Sequence, residues 1–498
     1  MATRENWGSR TGFVLAAIGS AIGLGNIWRF PYITYDNGGG AFLIPYFVAL
    51  FTAGIPIIIL EMAIGHRYKT SPVMAFMKMS KRVTWIGWFQ VLVAFVIAMY
   101  YTVIVAWSLK FFTLAFTQGW GTNTKEFFYN DFLHTSAGPL SFGGVVPGLA
   151  IFAFIAWFLI WLTLFCGVKK GIELIAKIFM PILFVAIIVI LIKVVTLEGA
   201  GYGLDWLFKP RLDSIFNFST WLAAYGQIFF SLSICYGIMI AYSSYLPEKS
   251  DITNNAIITA LMNCGFSILS AILIFSVLGY AATQSGKTIQ DVAGAGIGLA
   301  FVSIPLAINQ MPFSKLVGVI FFFALFVAGF TSIISLVEVC CSTLIDKYKI
   351  NRKKAVTIFC LIGFAVSFVF TSQAGIFILD IVDHFINAFG IVVGGVLEII
   401  FISWFFKLDS FKQHINKDSD FSVGHIWVFC LKYLMPVILL YMAVGNLVQE
   451  IRVPYENYAQ AALMTYGWGV VVVVLILSVY LQLSGNKKLN KNENKEIL

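Results

Sequence analysis

Residues 20–31 read SAIGLGNIWRFP and lie inside the first long apolar run of the chain. Within two helical turns this stretch holds Gly23, Gly25, the amide of Asn26 and the positive charge of Arg29. An interrupted helix is tolerated at membrane depth only where the freed backbone groups line a cavity or contact other parts of the protein. The stretch therefore predicts a break in the first helix that serves a purpose.

The composition indicates a membrane protein with many spans. Of the 498 residues, 59% are hydrophobic and 11% are charged, whereas soluble domains carry about 25% charged residues. Apolar runs of roughly 20 residues, long enough to cross a bilayer, recur along the whole chain. We predict an all-α polytopic fold in the lipid bilayer, with about twelve spans centred near residues 24, 53, 100, 157, 183, 232, 268, 330, 362, 391, 437 and 474.

The net charge of +9 is a topology signal here, and no nucleic-acid partner is expected. Loops 119–145 and 197–215 carry few positive charges. By the positive-inside rule the basic segments lie in the cytoplasm, so we expect both termini there. We also expect the protein in a cell inner membrane, without a cleaved signal. The basic segments are 66–82, 169–170, 346–354, 407–417 and the tail.

A second break is predicted in the sixth run, where SLSICYG (231–237) precedes the polar YSSY (242–245). Two breaks five helices apart are typical of transporters built from inverted repeats, although glycines can also serve close helix packing. An unwound turn exposes carbonyls to a cation and a half-helix N-terminus to a carboxylate. Arg29 needs a partner, and Asp380 and Asp383 are candidates unless the arginine snorkels to the interface.

Other classes fit less well. An intramembrane enzyme needs a nucleophile with a base, or a metal-binding HExxH motif, and neither is seen. The seven cysteines fit no zinc or disulfide spacing and are expected to pack inside helices. A channel would show pore-lining repeats or rings of charge. A transport-inactive sensor stays open as an alternative.

The sequence NWGSRTGFVLAAIGSAIGLGNIWRFPYITYDNGGGAFLIPY (6–46) closely resembles the start of the neurotransmitter:sodium symporters, and GQIFFSLS (226–233), NCGFSILSA (263–271) and AGFTS (328–332) follow in the family's order. The resemblance covers spans one to ten; spans eleven and twelve match only in hydropathy. It implies a five-plus-five inverted repeat in a single transporter domain. The expected parts are a cytoplasmic N-terminus (1–10), a first repeat (11–200), a second repeat (215–406), spans eleven and twelve (425–483) and a cytoplasmic tail (485–498).

The resemblance implies two sodium sites and one substrate site. Carbonyl and hydroxyl oxygens suit a hard cation such as sodium. Sodium site 1 would use Ala21, Asn26, Ser231 and Asn263. Sodium site 2 would use Gly19, Ile22, Ala328, Thr331 and Ser332, although Thr331 and Ser332 alone could merely join helices. The substrate would contact Ser20, Ala21, Leu24, Gly25, Ile97, Tyr101, Phe230, Ser231, Ser233, Cys235, Tyr236, Ser332 and Leu336.

Gly23 and Cys235 bear on the substrate. The monoamine members of the family carry an aspartate at the position of Gly23, so glycine leaves room for a substrate that brings its own carboxylate. Many amino-acid members carry glycine at the position of Cys235, so its bulk is expected to narrow the side-chain pocket. We predict a small or medium neutral amino acid, or an amino-acid-like zwitterion.

Chloride is the second ion expected. Chloride-independent bacterial members have a carboxylate on span seven, where this chain has Ser267. Dehydrated sodium needs a nearby negative charge, and the resemblance implies chloride bound by Tyr46, Gln227, Ser231, Asn263 and Ser267. The alternative is a chloride-independent symporter in which a proton balances the site.

The resemblance also implies two gates. Arg29 and Asp383, with Tyr101 and Phe230, would close the outer side. Arg4 and Asp346, with Trp7 and Tyr245, would close the cytoplasmic side. Together these features predict a non-enzymatic, sodium-coupled symporter that works by alternating access, with two sodium ions and one chloride, as a monomer or weak homo-oligomer.

Overall fold

The computed structural model describes residues 5–292 and 296–496, with side chains as far as Ser484, so Arg4 lies outside the described residues. The described part is helical, with two isolated β-bridges and no strand. Among the described residues, ten helical segments are long and apolar enough to cross a membrane. These are Gly40–Tyr68, Lys81–Ala115, Pro147–Phe165, Val168–Val194, Ile252–Ser285, Ser314–Tyr348, Arg352–Thr371, Gly375–Phe405, His425–Asn457 and Gln460–Ser484.

Two further apolar segments are broken into shorter helices. The first consists of Arg10–Ala21, Leu24–Ile27 and Arg29–Asp36. The second consists of Phe218–Ser231 and Ile238–Ser243. With these two, the described chain contains the twelve spans that the sequence predicts, and we number them 1 to 12 in chain order. Spans 1 and 6 are the broken ones.

Side-chain caps fix where several helices begin. The Ser9 side chain accepts a hydrogen bond from the backbone N–H of Gly12, and Asp251 accepts one from Asn254. Asn351 caps span 9 in the same way through the N–H of Lys354. A cap of this kind satisfies one of the N–H groups that a helix start leaves free.

Spans 3 and 8 form the centre of the molecule. In each, 83% of the most apolar window is buried by other parts of the chain, compared with 28% in span 12. Buried side chains from spans 1, 2, 6 and 7 join the same apolar cluster around them. The central position of spans 3 and 8 brings their polar residues against the breaks in spans 1 and 6.

Shorter helices connect the spans. The main ones are Ala200–Phe208, Gly296–Gln310 and Leu408–Asn416. The cysteines are free thiols, and all except Cys166 are buried, in agreement with the packing role expected for them.

Candidate ion and substrate site

Span 1 stops being helical at Ile22 and Gly23. Ile22 has an extended backbone with φ −76° and ψ 104°, and Gly23 follows with φ −127° and ψ −168°. The side-chain oxygen of Asn26 accepts from the N–H of Gly23 at 2.9 Å, and the Tyr101 hydroxyl accepts from the N–H of Leu24 at 3.0 Å. Polar side chains thus satisfy the N–H groups that the break exposes.

Span 6 unwinds between Ser231 and Ile238, as the sequence predicts. Ser233 and Cys235 have positive φ values of 53° and 71°, and Gly237 has 77°. Such conformations are strained for residues other than glycine and often mark functional sites. The Ser233 hydroxyl donates to the carbonyl of Ser20 at 3.0 Å, so the two breaks contact each other.

The predicted residues of sodium site 1 come together around the side chain of Asn263. One amide atom of Asn263 lies 2.8 Å from Asn26 Nδ2, 3.1 Å from the Ala21 carbonyl oxygen and 3.2 Å from the Ser231 carbonyl oxygen. An oxygen at this place faces two carbonyl oxygens, whereas a nitrogen faces the Asn26 nitrogen. Neither orientation satisfies every atom. A cation in contact with the Asn263 oxygen and the two carbonyl oxygens would satisfy these three oxygens, which are of the kind that sodium prefers. Asn26 presents its nitrogen to this place, because its oxygen accepts from the N–H of Gly23.

The predicted residues of sodium site 2 also meet. The Ser332 hydroxyl on span 8 lies 3.3 Å from the Gly19 carbonyl oxygen and 3.1 Å from that of Ile22. The Thr331 hydroxyl lies 3.2 Å from the carbonyl oxygen of Ala328 one turn earlier. A Cβ atom on Gly19 would lie 3.2 Å from Thr331 Cβ, so Thr331 lies beside the same turn of span 1. The carbonyl and hydroxyl oxygens of these residues are of the kind that sodium prefers.

The residues expected to contact the substrate pack closely where the two breaks meet span 3. A Cβ atom on Gly23 would lie 2.8 Å from the Tyr101 hydroxyl and 2.9 Å from Ser332 Oγ, so a larger residue there would crowd both groups. A Cβ on Gly25 would lie 2.1 Å from the ring of Phe230. The side chains of Ile97 and Leu336 are buried, whereas Phe230 is partly exposed.

Cys235 requires a correction. The expectation was that its bulk narrows the substrate pocket, but its thiol points to the other side of the unwound segment. A Cβ on Gly395 of span 10 would lie 3.0 Å from Cys235 Sγ, and the thiol lies within 4.8 Å of carboxylate oxygens of Glu61 and Glu398. The positive φ of Cys235 reverses the direction in which the chain presents its side chain, which the sequence pattern does not reveal.

The side chains expected to bind chloride lie beside sodium site 1. The hydroxyls of Ser231 and Ser267 lie close to the Tyr46 hydroxyl, and Asn26 Nδ2 donates to Ser267 Oγ at 2.8 Å. Gln227 is fully buried, and neither of its amide atoms has a partner among the described residues. A buried amide without partners is unfavourable, and its NH₂ group is a donor of the kind that an anion needs.

At the outer side, Arg29 and Asp383 do not form a direct ion pair. The Arg29 guanidinium lies 4.4 Å from the centroid of the Phe230 ring, while Asp383 accepts from Tyr100 at 2.6 Å and from Asn387 at 2.8 Å. The stacking of the arginine on the aromatic ring offsets part of the cost of holding it near the membrane. A gate formed by Arg29 and Asp383 stays a prediction.

The comparison with known proteins adds a decisive observation. A protein-family model described as the sodium:neurotransmitter symporter family matches residues 4–125 and 120–486, which together are nearly the whole chain. The chain belongs to this family. Relatives of the family that carry sodium-dependent transport in their names include archaeal and animal proteins.

Three relatives illustrate the range of this symporter family. The chain is 42% identical to an uncharacterized sodium-dependent transporter of Methanocaldococcus jannaschii, over 96% of this chain and 97% of the relative. It is 29% identical to the human sodium- and chloride-dependent neutral and basic amino acid transporter B(0+), over 95% and 84%. It is 28% identical to the mouse sodium- and chloride-dependent GABA transporter 2, over 93% and 83%.

Hydrogen bonds connect the N-terminal residues of this symporter to the end of span 6. Trp7 Nε1 donates to the carbonyl of Tyr242 at 2.8 Å, and the N–H of Trp7 donates to the carbonyl of Tyr245 at 3.2 Å. Asp346 accepts from the hydroxyl of Thr70 and the N–H of Ser71. The gate pairing of Asp346 with Arg4 lies outside the described residues and stays a prediction.

An ion pair that the sequence did not predict lies next to this network. Glu338 is fully buried on span 8, and its carboxylate accepts from Arg352 at 2.5 and 3.0 Å and from the Tyr245 hydroxyl at 2.6 Å. The two charged residues are fourteen positions apart, across the turn between spans 8 and 9. The signal that could have found them is a carboxylate inside an apolar helix, which requires a partner.

Asp380 does not contact Arg29. Its two carboxylate oxygens accept from the hydroxyls of Tyr455 and Tyr458, at 3.1 and 3.0 Å. The His384 ring stacks on Tyr455 with centroids 3.7 Å apart. The end of span 11 and the residue that follows it are therefore attached to span 10. Of the two candidate partners for Arg29, only Asp383 stays available.

Proposed function

We propose that the chain is a sodium-coupled, chloride-dependent secondary symporter that imports a small or medium neutral amino acid, or a similar zwitterion, by alternating access. The observation that carries the proposal is the convergence of oxygen atoms at the span 1 break, where Ser332 faces the Gly19 and Ile22 carbonyls and Asn263 faces Ala21 and Ser231. Two clusters of this kind beside one small chamber fit two sodium ions and one solute.

The chamber suits a substrate with its own carboxylate. The N–H of Leu24 donates to the Tyr101 hydroxyl at 3.0 Å, so the hydroxyl can still donate its own proton to a substrate carboxylate. Gly23 has no side-chain carboxylate that could bind an amine. Tyr101 and Ser332 occupy the space into which a side chain at this position would extend. An amino acid therefore fits better than a monoamine that lacks a carboxylate. The apolar Ile97 and Leu336 favour an uncharged side chain.

Shared ligands supply the coupling. Ser231 belongs both to the cluster of sodium site 1 and to the proposed chloride site, and Ser332 joins sodium site 2 to the carbonyl of Ser20 in the chamber. Binding of one species therefore orders groups that the next one uses, which makes the affinities interdependent. A sodium ion that enters down a potential of 100 mV gains about 2.3 kcal/mol, and two ions can drive strong accumulation of a neutral solute.

Chloride dependence is supported by Ser267 and by the buried amide of Gln227. No carboxylate of the described residues replaces Ser267 beside sodium site 1, and the unpartnered Gln227 amide offers a donor. Two sodium ions bound in a buried place would favour an anion nearby. We place the protein in the cell membrane with both termini in the cytoplasm, as a monomer or weak homo-oligomer.

The test is uptake by proteoliposomes that contain the full chain. A thermal-shift screen of the standard amino acids, with sodium and chloride varied independently, first selects candidates. Labelled candidates are then offered to proteoliposomes with an inward sodium gradient, or with the gradient dissipated by an ionophore. The proposal expects gradient-driven accumulation of at least one neutral amino acid. Binding without accumulation would instead favour a sensor, and uptake that merely equilibrates would favour a channel.

A further inference from the structure

A cluster of buried acidic groups lies behind the unwound segment of span 6, on the side away from the sodium ligands. Glu61 on span 2 and Glu398 on span 10 are both fully buried. One carboxylate oxygen of each and the thiol sulfur of Cys235 lie within 4.8 Å of one another. Span 3 contributes Gln90, which is also fully buried and whose Nε2 donates to Glu398 at 2.6 Å.

Three of the five side-chain oxygen atoms in this cluster have no hydrogen-bond partner among the described residues. Glu61 uses one oxygen to accept from the N–H of Cys235 at 2.5 Å, and Glu398 uses one to accept from Gln90. The other oxygen of each carboxylate and the amide oxygen of Gln90 are buried with no hydrogen-bond partner among the described residues. Three buried acceptors in one cluster that make no hydrogen bond are unfavourable, and a proton or a cation bound there would relieve this cost.

The charges around the cluster do not balance. The other titratable groups that face the carboxylates are Cys235 and Tyr236, neither of which is a cation. The ion pairs seen in the described part of the chain involve other carboxylates, among them Glu338, which is equally buried but bonded to Arg352. Two ionised carboxylates this close in a medium of low dielectric constant repel each other strongly, so one of them must hold a proton.

We propose that Glu61 and Glu398 form a proton-binding site that holds one shared proton at neutral pH, and that this site is coupled to the unwound segment of span 6 through the N–H of Cys235. A proton on either carboxylate leaves one negative charge in the cluster. That charge is stabilised by the N–H of Cys235 and the amide of Gln90.

The coupling follows from the position of Cys235. Its N–H lies four residues beyond Ser231, inside the segment Leu232–Gly237 that is not helical. Any rearrangement of this segment during binding or closure changes the hydrogen bond to Glu61 and hence the proton affinity of the pair. A proton taken up from water in one state of the segment is then returned to water in the other. This coupling rests on the proposed substrate site, whereas the proton site itself does not.

The proton site is tested by infrared spectroscopy of the purified full chain at neutral pH in an organic-cation buffer. The C=O stretch of a protonated carboxyl group lies apart from the carboxylate bands and shifts in heavy water. We expect one such band in the wild type and its loss in the double variant Glu61→Gln/Glu398→Gln. The single variant Glu398→Gln, which leaves one carboxylate stabilised by the N–H of Cys235, loses it as well.

The matched control is Glu338→Gln, since Glu338 is as buried as the pair but is bonded to Arg352. This variant should keep the band. Absence of a protonated carboxyl band in the wild type, or its persistence in the double variant, would overturn the proposal.

The coupling is tested by adding sodium and an accepted amino acid to weakly buffered protein with a pH indicator. We expect a proton uptake or release that Glu398→Gln abolishes. If the amino acid binds without any proton change, the coupling is wrong although the proton site stands. If no amino acid binds at all, the proposed function fails, while the infrared result still decides the proton site.

Discussion

The Ser332 hydroxyl lies 3.1 Å from the carbonyl oxygen of Ile22, the residue at which the first helix of span 1 ends. This contact joins the centre of span 8 to the break in span 1. A helix end leaves carbonyl groups without intrahelical partners, and here a hydroxyl of a neighbouring span approaches them. The same hydroxyl also lies 3.2 Å from the Ser20 carbonyl oxygen. The Ser332 side chain thus takes part in both roles proposed for the break, ion binding and substrate binding.

Replacement of Ser267 by glutamate should make transport independent of chloride. The carboxylate would place a fixed negative charge next to Asn26 and sodium site 1, where the chloride is proposed to bind. The measurement is sodium-driven uptake with chloride replaced by gluconate. The control Ser267→Ala removes the hydroxyl without adding charge and should weaken chloride activation by roughly tenfold. If the wild-type protein takes up the amino acid as fast in gluconate as in chloride, the chloride assignment is wrong.

Asp383→Asn should impair transport more than binding. The asparagine can still accept from Tyr100, so the local packing survives, but the charge that faces Arg29 is lost. We expect uptake to fall roughly tenfold while sodium-dependent binding of the same amino acid changes little. The exposed Asp205 supplies the control variant Asp205→Asn. An Asp383→Asn protein with wild-type uptake would rule out the gate.

Arg352→Met should destabilise the protein because it leaves the buried Glu338 carboxylate without its partner. Loss of one member of a buried ion pair lowers the free energy of unfolding by about 3–5 kcal/mol. The double variant Glu338→Leu/Arg352→Met removes both charges and should recover most of that loss. Thermal unfolding in detergent measures both variants. A double variant that is no more stable than Arg352→Met would show that the ion pair is not the cause.

Stability should fall in mild acid through His414, in the helix Leu408–Asn416 outside the spans. Its Nε2 lies 2.9 Å from Nδ1 of His66. Burial, His66 and the charges of Arg67 and Lys69 lower the pKa of His414 from 6.5 to about 4. A base with a lowered pKa in the folded state favours its neutral form. The stabilising contribution is therefore complete above pH 6.5 and is lost as the pH falls towards 4.

The measurement for His414 is the melting temperature between these two pH values. The variant His414→Asn should show a smaller decrease across that range than the wild type. His425→Asn, which changes an exposed histidine, should behave like the wild type. Equal pH dependence in the His414→Asn and wild-type proteins would exclude this origin.

The sequence predicted the spans and the two breaks because their signals are local. Apolar runs set the spans, and Gly23 with Asn26 marks the first break directly, since Asn26 bonds to the N–H of Gly23 three residues earlier. The resemblance to the family brought in the distant partners, and the structure places Asn263 and Ser332 against the break. Their roles as sodium ligands await direct measurement.

The sequence did not predict the direction of buried side chains or the pairing of residues that are far apart in the chain. The thiol of Cys235 faces Gly395 and not the chamber because its backbone φ is positive. The sequence around Glu338 did not identify Arg352 as its ion-pair partner, because the two residues meet only in the folded turn between spans 8 and 9. Arg29 stacks on Phe230 instead of reaching Asp383. Each of these depends on the packing of several spans, which a linear pattern does not encode.

The most direct test of the account is equilibrium binding of radioactive sodium to the purified protein, with and without an accepted amino acid. The account predicts two sodium ions per chain, tighter binding when the amino acid is present, and loss of one ion in Asn263→Leu and of the other in Thr331→Val, with Thr331→Ser unchanged. Variants that bind as much sodium as the wild type would contradict the claim that the breaks in spans 1 and 6 hold the ions.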